Sequence, residues 1–282
     1  MSTALTIDVY TSPLQTLPES VGGWFSPTTS TLLTGPTEAV LVDTQHLKDG
    51  VDEVIRRIEV SGATLTTIFI THAHGDHYMG LETLLGRFPE ARAVALPSVV
   101  DEIRATNEAQ RKQWRAWFTD RAVDNTAVPE PLDGDTIWLD GEELKVIEME
   151  QADTAPTAIL WVPSLRAVVA GDVIYNGVNP FLAATGPDEW PKWIESVDTI
   201  AALQPLIVVA GHKKPEASDS DLDATVTYTR DYIRAFMDEL RASSDSRDLV
   251  RQMKSRFPDT VNPSALVMSA LTAWKREEND RA

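Results

Sequence analysis

Short runs of β-branched and apolar residues alternate with polar stretches whose apolar positions recur three and four apart. "STLLTG" (30–35), "AVLVDT" (39–44), "TIFITH" (67–72) and "AVAL" (93–96) read as strands. Between them, "LKDGVDEVIRRIEVSG" places Val51, Val54, Ile55 and Ile58 on one face, the spacing of a helix packed on a sheet. Residues 98–121 read as a further helix, polar apart from a stripe of Trp114, Trp117 and Phe118. "TIWLDGEELKVIEME" predicts a hairpin turning at Asp140-Gly141, a pair suited to a tight turn with positive φ. "AILWVPSLRAVVAGD" predicts another, turning at Pro163-Ser164, and "PLIVVAGH" (205–212) one more buried strand that ends on a histidine. From about Asp219 the pattern becomes purely helical: "SDLDATVTYTRDYIRAFMDELRA", "SRDLVRQMKSRF" and "NPSALVMSALTAWKRE". The expected organisation is one main α/β domain over residues 1–218, with a helical extension over 219–282 packed on it. Hairpins and crossover helices in two successive halves predict sheets covered by helices.

Composition narrows the function classes. The chain has 282 residues, 43% of them hydrophobic, ample for a buried core. No apolar run approaches the ~20 residues of a membrane span, and "MSTALTIDVY" lacks the layout of a secretory signal, so a soluble cytoplasmic protein is expected. A formal charge of -18 repels phosphate backbones and anionic lipid surfaces, which argues against nucleic-acid and membrane partners. The absence of cysteine leaves histidine and carboxylate as the only strong metal ligands.

The chemistry concentrates in "THAHGDHYMG" (71–80), which holds three of the five histidines. It follows the apolar strand "TIFIT", at a carboxyl end where α/β proteins build sites. His72 and His74, two apart in extended chain, point the same way. Gly75 permits a sharp turn, and Asp76 and His77 open a helix carried on by Leu81, Leu84, Leu85 and Phe88. One loop thus directs four ligating side chains into a small volume, a strong metal signal.

On this motif, and on "STLLTG…AVLVDT", "AVVAGDVIY" and "LIVVAGH" in the same order, the chain resembles the metallo-β-lactamase superfamily over roughly residues 28–215. The resemblance is to its lactonase and glyoxalase II-like branch. It implies an αββα sandwich with two divalent metal ions, zinc by default, at one edge. His72 and His74 would bind the first ion, Asp76 and His77 the second. Asp172 would bridge both, and His212 would complete the second set.

One ligand of that pattern is missing. Where a third histidine of the first set is expected, the chain reads "QADTAPTA" (151–158). Asp153, followed by threonine as that histidine is, is the first candidate, with Glu150 or Gln151 as substitutes and an empty first position as the remaining case. His46, the one unassigned histidine, is expected near the surface or behind the ligands. With Asp153 in place, three carboxylates and a hydroxide would neutralise two divalent cations. Such a harder site admits Mn²⁺ or Fe²⁺ alongside Zn²⁺.

The implied reaction is hydrolysis of a small ester, lactone or thioester by a metal-bridging hydroxide, with Asp76 orienting it and Tyr175 aimed at the developing oxyanion. Tyr78 is a second, weaker candidate for that role, and Asp43 a hydrogen-bond partner behind the metal loop. Trp114, Trp117, Phe118, Trp24, Phe25, Phe181, Trp190 and Trp193 are candidates for pocket walls, the first three also for core or homodimer contact. The alternatives are a mononuclear iron redox enzyme of the same fold, or a non-catalytic metal-binding protein with a degenerate first set.

Overall fold

The computed structural model describes residues 5–281, with side chains through Arg276. In its first half, β1 (Thr6–Thr11) is followed by a small hairpin of β2 (Gln15–Thr16) and β3 (Trp24–Phe25). β4 (Thr29–Thr34), β5 (Glu38–Val42), β6 (Thr64–Phe69), β7 (Arg92–Ala95) and β8 (Glu130–Pro131) then form with β1 a six-stranded sheet in the order β1-β4-β5-β6-β7-β8. β1, β4 and β5 pair antiparallel, while β5 to β8 pair parallel. Parallel neighbours need crossovers. These are α1 (Lys48–Ser61), α2 (Gly75–Tyr78) with α3 (Leu81–Arg87), and α4 (Pro97–Phe118).

In the second half, β9 (Thr136–Leu139), β10 (Glu142–Met149), β11 (Thr157–Val162), β12 (Ala167–Val169) and, past β13 (Tyr175–Asn176) and α5 (Trp190–Ala202), β14 (Ile207–Val209) make a five-stranded sheet ordered β14-β12-β11-β10-β9. β13 pairs in parallel with β15 (His212–Lys213). The chain then forms α6 (Tyr228–Ala242), α7 (Ser246–Arg256) and α8 (Pro263–Arg281).

Strand periodicity assigns each face to a core. Ala39 and Leu41 of β5 and Ile68 of β6 face Val51, Val54 and Ile58 of α1 and Val99 and Ile103 of α4. Val40, Val42 and Phe69, their alternates, face Leu144, Val146, Leu160 and Val169 across the inter-sheet layer. On the far side of the second sheet, Ile159, Val168 and Val208 share a core with Trp193 of α5, Tyr232 and Phe236 of α6, Leu249 of α7 and Leu266 of α8. The layers run helix, sheet, sheet, helix, and the C-terminal helices belong to the last. Among the described residues, no helix is long and apolar enough to cross a membrane.

Both predicted hairpins form. Asp140 and Gly141 join β9 to β10 at φ 48° and 84°, the left-handed values a two-residue turn requires, and β11 turns into β12 through Pro163–Leu165. The single helix expected after His77 is instead broken into α2 and α3. Thr44 takes the His77 carbonyl out of the helical ladder through its backbone N–H (2.7 Å) and hydroxyl (3.0 Å). Gly80 sits so close to this loop that a Cβ would lie 2.9 Å from the Thr44 Cβ. That tertiary contact overrides the helical spacing of the sequence. The two-residue β2, β3, β8, β13 and β15 carry too few alternating apolar positions to be read from sequence, and β1, although Ile7 and Val9 alternate in it, is an addition to the expected strands.

Candidate metal centre

The loop after β6 is fastened from behind by Asp43, which ends β5 at φ 57°. Its carboxylate accepts from the Thr71 N–H (2.9 Å) and hydroxyl (2.8 Å), and it pairs with His77 Nδ1 at 2.8 Å. His77 Nε2 is thereby turned inward. His212 is fixed similarly, its Nδ1 donating to the Pro27 carbonyl at 2.9 Å, and His72 Nδ1 lies 2.9 Å from the Thr71 hydroxyl. His72, His77 and His212 thus each have Nδ1 anchored and Nε2 turned toward the carboxylates, the arrangement that orients metal-binding histidines.

All seven candidate ligands come together in two sets. His72, His74, Asp153 and Asp172 each offer an atom within 4.8 Å of the others, as do Asp76, His77 and His212. Asp172 joins the sets: its Oδ2 lies 3.6 Å from His72 Nε2 and 3.1 Å from His212 Nε2, its Oδ1 3.3 Å from His77 Nε2. Asp153 lies in the first set, 3.3 Å from His74 Nδ1. Glu150 is instead at the surface, 3.4 Å from Lys192. His72 Nε2, His77 Nε2, Asp153 Oδ1 and Asp172 Oδ1 are buried without hydrogen-bond partners. Buried polar atoms are normally satisfied, and this convergent set suits divalent cations with nitrogen and oxygen ligands.

The electrostatics are those of a tightly coupled cluster. Burial works against charge on His77 and His212, but Asp172 and Asp76 hold both above the usual histidine range. Burial also opposes charge on Asp76 and Asp172, and the facing histidines, His77 first for Asp76 and His212 first for Asp172, keep both carboxyls below the ordinary range. Asp153 differs: burial raises it to about 6, with His74 acting in the opposite direction. Burial and its neighbour His77 keep His72 neutral. Two cations would satisfy the three carboxylates and relieve this interdependence.

Tyr175 is fully buried, with its hydroxyl 3.3 Å from both Asp153 Oδ2 and Asp172 Oδ2. Burial, then those two carboxylates, push its pKa well up, so it remains a donor. Strand pairing sets Tyr175 opposite His212. Thr229 of α6 clamps the Tyr175 backbone, accepting from its N–H and donating to its carbonyl, both at 3.0 Å. Tyr78 points away, its hydroxyl 3.2 Å from Asn107 of α4.

One expectation changes and another narrows. Trp190 and Trp193 do not line a mouth: both are buried in the C-terminal core, Trp193 donating to the Val173 carbonyl at 2.9 Å behind Tyr175. Of the two places expected for His46 the surface one falls away: it is 1% exposed, among Phe25, Trp114 and Phe118, and, as expected, outside both ligand sets. Trp24 is partly exposed, whereas Phe25 turns inward to within 6.3 Å of the His212 ring. The stripe of α4 lies against the metal loop. Gln110 donates to the Ala73 carbonyl at 2.6 Å, and a Cβ on Gly75 would collide with the Trp114 indole. Two surface hollows lie away from the ligand sets, one of about 590 Å³ beside Tyr10, Arg57 and Lys213, the other of about 520 Å³ along the outer face of α4. Among the candidate ligands only His74, about a third exposed, reaches toward solvent.

Thr28 is a site residue that no sequence signal marks. Its hydroxyl donates to Asp76 Oδ2 at 2.9 Å, and its carbonyl accepts from Gln45 Nε2 at 3.1 Å. Thr28→Val should weaken cation binding at the second set about 10–100-fold, the usual cost of an outer hydrogen bond to a ligand, with Thr28→Ser restoring it. Calorimetric metal titration measures this, and unchanged affinity in the valine variant would remove Thr28 from the role.

A four-layer αββα sandwich whose sheet edges converge on two histidine and aspartate sets defines a metal-site protein of a recognisable class. The family model of the metallo-beta-lactamase superfamily matches residues 23–212, and the chain belongs to that superfamily, whose members are mostly metal-dependent hydrolases. Among solved structures, a metallo-beta-lactamase family protein from Thermus thermophilus is 20% identical, with 96% of this chain and 94% of that one covered at a TM-score of 0.63. A metallo-beta-lactamase from Pontibacter korlensis is 16% identical, covering 83% of this chain and 99% of its own at 0.58. At these identities the likeness is one of fold. A search of curated proteins found no match.

Proposed function

We propose that this protein is a binuclear metal-dependent hydrolase of small ester, lactone or thioester bonds. The observation that carries the reading is the pair of ligand sets joined through Asp172. Two bound divalent cations would supply Lewis acidity and a water ionised near neutral pH. The chain's own groups do the rest. Asp76, steadied by Thr28, orients the water and takes its proton. Tyr175 keeps its proton and donates toward the carbonyl oxygen as that oxygen becomes negative. The water oxygen bonds to the acyl carbon, the C–O or C–S bond breaks, and the departing alcohol or thiol receives the proton. Aromatic walls at Phe25 and Trp114 favour a neutral acyl portion.

The test is metal analysis combined with turnover. Protein loaded separately with Zn²⁺, Mn²⁺ and Fe²⁺ should hold two ions per chain and hydrolyse members of an ester, lactone and thioester panel. A chelator should abolish activity, and added metal should restore it. Retention of one iron, with oxygen uptake on a persulfide and no hydrolysis, would replace this reading with a redox one. Loaded protein inert on every substrate would favour a binding role.

A further inference from the structure

Beside the ligand sets lies an aromatic box with two polar side chains that no hydrogen bond within the fold satisfies. Both ring nitrogens of His46 and the Trp114 indole nitrogen are buried without partners. Their rings are 4.8 Å apart by centroid. Phe25 stands 5.1 Å from His46 and 4.9 Å from Trp114, both edge-on, and Phe118 stacks on Trp114 at 5.5 Å. Folded proteins rarely leave several neighbouring buried donors and acceptors unpaired, and departures of this kind gather where a ligand supplies the partner.

The box adjoins the reacting region on two sides. The Phe25 ring lies 5.1 Å from His46 and 6.3 Å from His212, and the Trp114 indole lies directly on the backbone of Gly75, between the candidate ligands His74 and Asp76. Glycine is required there for the indole to approach. Trp114 meets the loop through its Nε1 edge, and no hydrogen bond is made there. α4 ends directly after Phe118 at Thr119, whose φ of 52° is a strained value for a β-branched residue. The aromatic end of the helix thus finishes on a joint that stores strain rather than on a relaxed cap.

We propose that His46 and Trp114 form the polar end of a substrate subsite that takes a neutral acyl portion bearing a second carbonyl oxygen, away from the bond being cleaved. Burial holds the His46 pKa down at about 4, so at neutral pH its imidazole carries one donor and one acceptor. With the Trp114 N–H the box offers two donors and one acceptor between aromatic walls. A ketone or amide oxygen can use the donors, whereas a plain alkyl chain leaves them unpaired and a carboxylate would have to enter an apolar enclosure beside Asp76 uncompensated.

This inference rests on the hydrolase reading, and the experiment separates the two. Metal-loaded wild type, His46→Leu and Trp114→Phe are assayed by proton release on ethyl 4-oxopentanoate and ethyl pentanoate, which differ only in the extra carbonyl. Thermal melting of all three is recorded in parallel. Wild type should prefer the oxo ester, and each variant should lose about 5–10-fold of that preference, the range for one neutral hydrogen bond, with the loss in KM rather than kcat. His46→Leu should melt at or above the wild-type temperature, because it removes two unpaired buried nitrogens. No preference in wild type, or a preference unchanged in both variants, overturns the subsite. If wild type cleaves neither ester, the hydrolase reading loses its support, and melting decides the box. A lower melting temperature for His46→Leu would show His46 to be an ordinary structural residue, and a raised one would mark it as a group kept at a cost to stability.

Discussion

Asp172→Asn should strip the protein of tightly held metal at both sets and reduce hydrolysis by more than the ~10–100-fold expected for an outer hydrogen bond. Its carboxylate lies 3.6 Å from His72 Nε2 on one side and 3.3 and 3.1 Å from His77 and His212 Nε2 on the other. The carboxyl is held below the ordinary range by His212 and His77 despite burial, so it is an anion in the cluster. Asparagine keeps the shape and removes that charge, leaving the second set with Asp76 alone and the first with Asp153 alone. The packing around Tyr175 should survive, since asparagine retains an oxygen near its hydroxyl. Elemental analysis after dialysis, with circular dichroism as a check on folding, is the measurement. A folded variant that keeps two ions and full activity would dismiss the shared role of Asp172, and with it the binuclear reading.

Asp153→Ala should lower bound metal from two ions per chain toward one, with hydrolysis falling in step, and Asp153→His should return the second ion. Asp153 is 2% exposed and faces His74 at 3.3 Å, so alanine leaves the first set two imidazoles and the shared Asp172. Histidine supplies a neutral third nitrogen, moving the set from a harder to a softer donor field. Competition experiments should then favour Zn²⁺ over Mn²⁺ more strongly than in wild type. Equal metal content in wild type and the alanine variant would exclude Asp153 from the site and leave the first set incomplete. Because Asp153 also accepts from Tyr175 at 3.3 Å, a change in rate without loss of metal would identify it as a group that positions the phenol.

How much of the site could be read from sequence depends on how far apart its parts lie along the chain. His72, His74, Asp76 and His77 converge through backbone geometry within one loop, so their spacing alone announced them. Asp153, Asp172 and His212 stand on separate strand ends, and only their order, similar to that of a known superfamily, singled them out. Thr28, Thr229 and the free nitrogens of His46 and Trp114 had no such marker. A threonine before a strand, or a tryptophan in an apolar stripe, has the same local appearance whether it faces a carboxylate, a metal loop or plain core. The split between α2 and α3 escaped for a related reason, since the Thr44 contacts responsible come from the end of another strand.

Alternating apolar positions and turn chemistry therefore sufficed for sheets covered by helices, both hairpins and the histidine loop, because these follow from periodicities and dihedral preferences that act over a few residues, whereas the four-layer order came from the resemblance to a known superfamily. The convergence of the two sets on Asp172, the anchoring of His77 and His212, the removal of Trp190 and Trp193 to the core and the enclosure of His46 arose only when strands and helices distant in sequence were packed together. Those features depend on long-range contacts, and the direction of a side chain in a packed interior is settled by its neighbours there rather than by the residues beside it in the chain.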